Sequence, residues 1–326
     1  MSSLPVDGYQ LKGISPRAFE HPADRAATAA LASIPGLDQV VRKLIELGYE
    51  RALRAAYLGS SVRLGPAQLA DTWNLHNQVF RTLDLDDVPE LYITQFPVAN
   101  ASTIGAGRPI VVVNSELVRL LGIAERRAVL AHEAGHVLGE HVVYHTALVI
   151  LLRMGNSLPI PVVGGLPLIA VRRALMEWYR AAELSCDRAA ALVTRDPTAV
   201  CRTLMILAAG AEADELDLDQ FMAQAHDFET GGTGIDRLSR MFVDLNLTHP
   251  LPVRRAQELM SWVRSGDYDR IVDGSYLKRG EEASARYEAG EAAAHYADRF
   301  RNVFKDAGDA VGGATEQLAD WLKKDR

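Results

Sequence analysis

Apolar residues recur every three or four positions over most of this chain, which is the pattern of helices that bury one face. The pattern predicts one helix over Leu37 to Tyr57 and another that begins at Gly65-Pro66. Before them, Ser15 to Asp24 contains two prolines and is expected to form an irregular arm. The chain is therefore expected to be mostly helical.

Two short runs between the predicted helices have the composition of β-strands. The run Val88 to Gln95 contains Leu-Tyr-Ile, and Ile110 to Val113 is a β-branched run typical of a buried strand. Ser115 is expected to cap a helix that Gly122 ends. These runs predict a small sheet among helices, which is an α+β architecture.

A metal-binding pattern occupies the predicted helix from Ala124 to His141, which contains no proline. His132 and His136 are four positions apart, so both imidazoles project from one face and are able to bind one metal ion. Glu133 remains free to take a proton from a water on that ion. The pattern predicts the chemistry of a zinc peptidase. The alternative is two buried histidines without a metal.

Small residues and two further histidines near this pattern predict how the helix packs and which residues lie outside the metal site. The low side-chain volume of Ala131, Ala134 and Gly135 would let another backbone approach the helix closely. At 100° per residue, His141 and His145 fall on the side of the helix opposite the pattern, so we expect them to be ordinary polar residues outside the metal site.

A catalytic zinc needs a third protein ligand. The segment Trp178 to Leu192 predicts another helix, on which Glu183 and Asp187 lie one turn apart on the same face. We predict that Glu183 is the third ligand. Asp187 is expected to accept the free ring N–H of a ligating histidine, which fixes its tautomer and orientation. The alternative is a solvated acidic face paired with neighbouring arginines.

Further motifs follow in order along the chain. After His132-Glu-Ala-Gly-His136 and Glu183-x-x-x-Asp187 come Thr248-His-Pro250 and then Arg255. This series resembles the HtpX and CAAX prenyl protease type of zinc metallopeptidase, which is a gluzincin. Asn100 to Thr103, followed by Arg108 to Asn114, is similar to the edge strand of that family and the strand after it. The resemblance spans roughly Pro89 to Trp262.

The resemblance implies a zincin-like fold, mostly helical, with a small sheet whose edge strand lies along the active-site cleft. It also implies one zinc ion per chain, bound by His132, His136 and Glu183, with Glu133 as the general base. His249 and Arg255 would then face the oxyanion of the tetrahedral intermediate. A polypeptide substrate would pair with the edge strand formed by Asn100, Ala101, Ser102 and Thr103.

Length and composition limit the number of domains and the classes of partner that are expected. The 326 residues are 48% hydrophobic and 24% charged, which suits one or two globular domains. We expect an N-terminal arm and helix over 1–60, a metallopeptidase domain over 61–275 and a helical tail over 276–326.

The net charge of -7 and the pI near 5.7 argue against nucleic acid as a main partner. The two cysteines, Cys186 and Cys201, predict buried thiols in a reducing compartment.

The location of the protein is expected to be cytoplasmic, because Met1 to Ile14 lacks a basic start and a signal-length apolar run. The apolar runs Val142 to Leu152 and Leu158 to Val171 are shorter than the about 20 residues that cross a bilayer. They predict an apolar hairpin in a soluble family member. As an alternative, residues 142–173 would rest on a membrane surface through this hairpin and its flanking arginines.

The chain is thus expected to be a zinc-dependent endopeptidase that hydrolyses bonds inside polypeptides. One alternative is a zinc-binding scaffold that interacts without cutting, although a scaffold has no need of Glu133. Another is an amidase or aminopeptidase, which recognises one terminus. The physiological substrate and the oligomeric state stay open.

Overall fold

The computed structural model describes residues 8–34, 37–46, 48–157, 165–210, 213–230 and 251–281. Most of these residues are helical. The helices are α1 (Pro22–Ala32), α2 (Leu37–Glu46), α3 (Tyr49–Ser60), α4 (Ala70–Thr82), α5 (Ser115–Leu120), α6 (Ile123–Leu138), α7 (Val142–Ser157), α8 (Gly165–Thr194), α9 (Pro197–Ala209), α10 (Leu218–Thr230), α11 (Pro252–Arg264) and α12 (Asp267–Val272). Short 3-10 helices cover Pro16–Ala18 and Ala213–Glu215.

A four-stranded sheet lies among these helices in the order β1-β2-β4-β3. Its strands are β1 (Ser61–Arg63), β2 (Glu90–Thr94), β3 (Ala101–Ile104) and β4 (Ile110–Asn114). The central strands β2 and β4 are parallel, and each edge strand is antiparallel to its neighbour. The four residues from Ile110 to Val113 are buried, as their β-branched composition predicts. The prediction of a mostly helical α+β fold with a small sheet is confirmed.

Helix α6 packs against α8 along the centre of the molecule, with α4, α9 and β3 also in contact with it. The close approach of α6 and α8 depends on Gly135. A Cβ atom on Gly135 would lie 3.0 Å from the Cβ of Ala189 and 3.1 Å from the Cα of Cys186. The expectation that small side chains here admit another backbone is therefore confirmed.

The contact predicts that Gly135→Ala destabilises the fold. The added methyl group meets the backbone of α8, and overpacking of this kind costs about 1–3 kcal/mol. Alanine in place of glycine inside a helix returns at most about 1 kcal/mol. The free energy of unfolding, measured by urea denaturation, should therefore fall by up to about 2 kcal/mol.

Gly59→Ala is the matched control, because no atom outside the local backbone of α3 and the adjacent residues lies within 4 Å of a Cβ at that position. We expect Gly59→Ala to leave the free energy of unfolding unchanged or slightly higher. Equal stabilities for the two variants would contradict the tight packing at Gly135.

Two predictions for the N-terminal region are wrong, and a third helix starts later than predicted. The expected irregular arm over Ser15 to Asp24 ends at Pro22, the first residue of α1, because proline suits the first turn of a helix and His21 caps it. The expected single helix over Leu37 to Tyr57 is split into α2 and α3 at Gly48, whose φ is +83°. The helix predicted from Gly65-Pro66 begins at Ala70.

The predicted bounds around the metal-binding pattern also change. Helix α6 ends at Leu138 rather than His141, because Glu140 adopts a left-handed conformation and the N–H of His141 donates to the carbonyl of His136 over 3.0 Å. The N-cap of α5 is Asn114, without a side-chain bond, so the predicted cap at Ser115 is wrong. The helix predicted over Trp178 to Leu192 is part of the longer α8.

The apolar run at the start of α7 is largely buried. Ala147, Leu148, Ile150 and Leu151 share a core with residues of α1 and α8. Within the described part of the chain, no single helix has the length and apolar composition of a membrane span. Among the described helices, only the pair formed by α6 and Val142–Leu152, which is bent by 104°, reaches that length and composition together.

Several predictions fall outside the described residues. They concern His249, the link 158–164 of the apolar hairpin, and the tail beyond residue 281. The predicted domain boundaries stay a prediction.

Candidate metal centre and active site

Helix α6 presents His132, Glu133 and His136 to the interior of the molecule. All three are largely buried, with relative exposures of 9%, 5% and 1%. The imidazole rings of His132 and His136 lie one helical turn apart, with their centroids separated by 5.0 Å. Their spacing in sequence thus produces the predicted pair on one helix face.

Helix α8 supplies a carboxylate between these rings. The Oε2 atom of Glu183 lies 3.4 Å from Nε2 of His132, and its Oε1 atom lies 3.1 Å from Nε2 of His136. Glu183 itself is 1% exposed. The structure therefore brings together the three residues predicted as metal ligands, with two ring nitrogens directed at one carboxylate.

One turn further along α8, Asp187 lies behind His132. Its Oδ1 atom is 3.0 Å from Nδ1 of His132, as predicted for a residue that accepts the free ring N–H. Arg255, from α11, donates to Asp187 from Nε over 2.8 Å and from Nη2 over 2.6 Å. Its Nη1 lies 2.9 Å from Oε2 of Glu183. The guanidinium thus connects the two carboxylates of α8.

The edge strand β3 lies beside Glu133. The hydroxyl of Thr103 donates to Oε2 of Glu133 over 2.7 Å, and Thr103 is fully buried. Ala101, Ser102 and Thr103 belong to β3, whereas Asn100 precedes it and its carbonyl accepts from the N–H of Asn114. The predicted edge strand is therefore at the site.

A cavity of about 60 Å³ opens beside these groups. One part of its lining is polar and includes His132, Glu133, Glu183 and Arg255. Other lining residues are aliphatic, namely Leu117, Val129, Val200, Leu204 and Leu207. Asn100 and Ala101 also line this cavity. An apolar surface therefore adjoins the polar groups of the site.

Burial and neighbouring charges together determine the ionisation of the site. It raises the pKa of Glu133 to about 7, although His132 and the hydroxyl of Thr103 act in the opposite direction. Burial lowers the pKa of His136 to about 3. Burial also acts to lower the pKa of His132, but Glu183 and Asp187 outweigh it and raise that pKa to about 9. A carboxyl with a pKa near neutrality suits proton transfer at pH 7.

Comparison with known proteins decides the family. Residues 66–263 match peptidase family M48. The chain belongs to this family. The matched segment contains every described site residue from Asn100 to Arg255. The predicted resemblance and the zincin-like fold class are thereby confirmed, and this M48 peptidase is a metal-dependent hydrolase whose substrates are polypeptides.

A named relative agrees with this assignment. This M48 peptidase is 37% identical over 271 residues to the chloroplastic plastoglobule-localized metallopeptidase 48 of Arabidopsis thaliana. The aligned segment covers 82% of this chain and 76% of the relative. No solved structure matches the chain. The prediction of a metallopeptidase is confirmed.

His141 and His145, which were expected to lie outside the metal site, lie against His136 in this M48 peptidase, so that prediction is wrong. The Nδ1 atom of His141 is 3.3 Å from Nδ1 of His136. The ring of His145 is stacked near that of His136, with 5.9 Å between centroids, and its Nδ1 lies 2.9 Å from the carbonyl oxygen of Thr103. The helix was expected to continue through His141, whereas it ends at Leu138. The glycine at position 139 was the available signal of this early end.

Proposed function

We propose that this M48 peptidase is a zinc endopeptidase that binds one zinc ion per chain through His132, His136 and Glu183. The observation that carries the proposal is that Nε2 of both histidines faces the carboxylate of Glu183, at 3.4 and 3.1 Å. Two imidazoles and one carboxylate are a donor set that catalytic zinc sites use. The residues present therefore fit the metal.

Cys186 offers a different third ligand. Its sulfur and nitrogen atoms of His132 and His136 all lie within 4.8 Å of one another. However, Sγ of Cys186 also lies 3.6 Å from Nδ1 of His141, the atom that contacts Nδ1 of His136. This position is on the Nδ1 side of His136, whereas Glu183 occupies the Nε2 side. We therefore favour Glu183.

The residues of the chain then have distinct roles in hydrolysis. Zinc, when bound, lowers the pKa of a coordinated water to about 7 and polarises the substrate carbonyl. Glu133 accepts a proton from the attacking water and returns it to the leaving amine. The hydroxyl of Thr103 holds the Glu133 carboxylate in place, 2.7 Å away. Asp187 accepts the Nδ1–H of His132 and so keeps the Nε2 lone pair directed at the metal position.

For Arg255 we propose a positioning role. Its donors already contact Asp187 and Glu183, and such charge-assisted bonds hold two buried carboxylates in a defined geometry. The oxyanion role implied for Arg255 and His249 stays a prediction.

We propose that the substrate binds as an extended strand alongside β3. Support comes from the sheet order, in which β3 is the edge strand, and from the bond between Thr103 and Glu133. Backbone pairing at this edge recognises any extended peptide. The aliphatic part of the cavity would then receive an apolar substrate side chain.

Metal removal tests the proposed function. We expect the purified protein to contain one zinc per chain by mass spectrometry of metals. Treatment with 1,10-phenanthroline should abolish cleavage of casein and of a peptide blocked at both ends, and added Zn²⁺ should restore both activities. Cleavage at the untreated rate after complete zinc removal would contradict the proposal. Activity confined to peptides with a free terminus would indicate an aminopeptidase or a related exopeptidase.

We propose that the protein works in the cytoplasm, with peripheral contact of residues 142–173 with a membrane surface as the alternative. The name of the Arabidopsis relative places that relative at plastoglobules. Fractionation of cells followed by carbonate extraction separates the two locations. Recovery wholly in the soluble fraction before extraction supports the first, and recovery in the membrane fraction supports the second.

A further inference from the structure

A buried series of polar side chains extends from His136 away from Glu183. Nδ1 of His136 lies 3.3 Å from Nδ1 of His141, and Nε2 of His141 lies 3.1 Å from Oδ2 of Asp24. Asp24, His136 and His141 are 0%, 1% and 5% exposed. The series therefore connects α6 with the N-terminal helix α1 through the protein interior.

The protons of this series have one consistent arrangement when His136 binds a metal. Nε2 of His136 faces Glu183, so coordination through Nε2 places the ring proton on Nδ1. That proton is donated to Nδ1 of His141, whose own proton must then be on Nε2. Nε2 of His141 in turn donates to the carboxylate of Asp24. Every donor in the series has an acceptor.

Asp24 is itself held in place from two sides. The hydroxyl of Ser185, on α8, donates to Oδ2 of Asp24 over 2.6 Å, and the hydroxyl of Thr28 donates to Oδ1 over 3.3 Å. Ser185 also accepts from the N–H of His21, at the start of α1, over 2.9 Å. A buried carboxylate needs such partners, and these partners give it a defined orientation.

We propose that Asp24 is a positioning residue of the metal centre, which acts through His141 to fix the tautomer and ring orientation of His136. The proposal rests on the proposed zinc ligands. It gives each zinc-binding histidine a carboxylate behind it: Asp187 directly behind His132, and Asp24 behind His136 through one intervening imidazole. Asp24 belongs to α1 and lies outside residues 66–263, which match the family. The proposal therefore makes the N-terminal helix a functional part of the metal centre rather than an accessory arm.

Zinc affinity of the full-length protein is the decisive measurement, made by competition with a chromophoric chelator. Partners of metal-binding histidines typically contribute 10- to 100-fold to metal affinity. We expect Asp24→Ala, which removes the acceptor, to weaken zinc binding about 100-fold. Asp24→Asn, which keeps an acceptor oxygen but loses the charge, should weaken it about tenfold. The d–d spectrum of the cobalt-substituted protein should shift in the same order.

Ala27→Gly is the structural control. Ala27 is fully buried in α1 and belongs to the core shared with α8, so this change loosens the helix while the side chains of Asp24, Ser185 and His141 stay chemically unchanged. We expect Ala27→Gly to lower the melting temperature and to keep the zinc affinity of the parent. Equal loss of zinc affinity in Ala27→Gly and Asp24→Ala would overturn the proposal, because the effect would then come from loosened packing.

A double mutant tests whether Asp24 acts through His141. If it does, Asp24→Ala combined with His141→Ala should bind zinc no more weakly than His141→Ala alone. If the two substitutions reduce zinc affinity additively, Asp24 does not act through His141. A parent protein without zinc would refute the proposed function, whereas parent-like zinc affinity in both Asp24 variants would refute only the positioning role.

Discussion

Glu133→Gln should abolish peptide cleavage while the protein retains its metal. The amide has nearly the shape of the carboxylate but is unable to accept a proton from the attacking water. General base catalysis typically contributes about 100- to 10,000-fold, so kcat for a fluorogenic peptide should fall by that factor. The zinc content should not change, because Glu133 is not among the proposed ligands. Both quantities are measured on the same preparation.

Glu140→Gln is the matched control for this variant. Glu140 lies just after α6 and is exposed, so the same chemical change there should leave kcat and zinc content at the parental values. If Glu133→Gln cleaves the peptide as fast as the parent, the proposed mechanism is wrong. If it loses cleavage and zinc together, the substitution has disturbed the metal site and Glu133 has a different role.

Glu183→Ala should lose both the metal and the activity. It removes the carboxylate that both Nε2 atoms face, which leaves two of the three proposed ligands. Loss of the metal removes several kcal/mol of catalysis, and each step of about 1.4 kcal/mol changes the rate tenfold. We therefore expect kcat/KM to fall by at least about 1000-fold and the zinc content to fall well below one ion per chain.

Two further variants make this result specific to Glu183. Glu177→Ala changes a partly buried glutamate on the same helix, where its partner is Arg180, and should retain zinc and activity. Cys186→Ser tests the alternative ligand set. Full zinc content in Glu183→Ala together with loss of zinc in Cys186→Ser would identify Cys186 as the third ligand and contradict the proposed site.

Much of the site was predictable from local spacing. His132 and His136 share a face because four residues make about one turn of helix, and the same geometry places Asp187 one turn after Glu183. That these two pairs face each other followed from the resemblance to a family, since no local rule positions α8 against α6. The mutual approach of the two helices depends on Gly135, which the sequence marks only as a small residue.

The role of the N-terminal region was not predictable in the same way. Pro16 and Pro22 suggested an irregular arm, yet Pro22 begins α1 because a first-turn proline lacks only a hydrogen bond that a helix start does not need. Nothing in the local sequence distinguishes Asp24 from a solvated acidic residue at a helix start. Its burial appears only once α1 is packed on α8.

The sequence by itself determined the mostly helical character with a small sheet, the metal-binding pattern on α6 and the chemical class of the reaction, because these depend on patterns within single elements, whereas several element bounds had to be corrected. Only the tertiary structure decided which residues surround His136. Glu140 ends α6 with a left-handed turn, and this turn returns His141 to His136 and, through it, to Asp24. The contact of His141 with His136 depends on the geometry of one turn, and its contact with Asp24 depends on helix packing. Neither is encoded in the periodic pattern of apolar residues along the sequence.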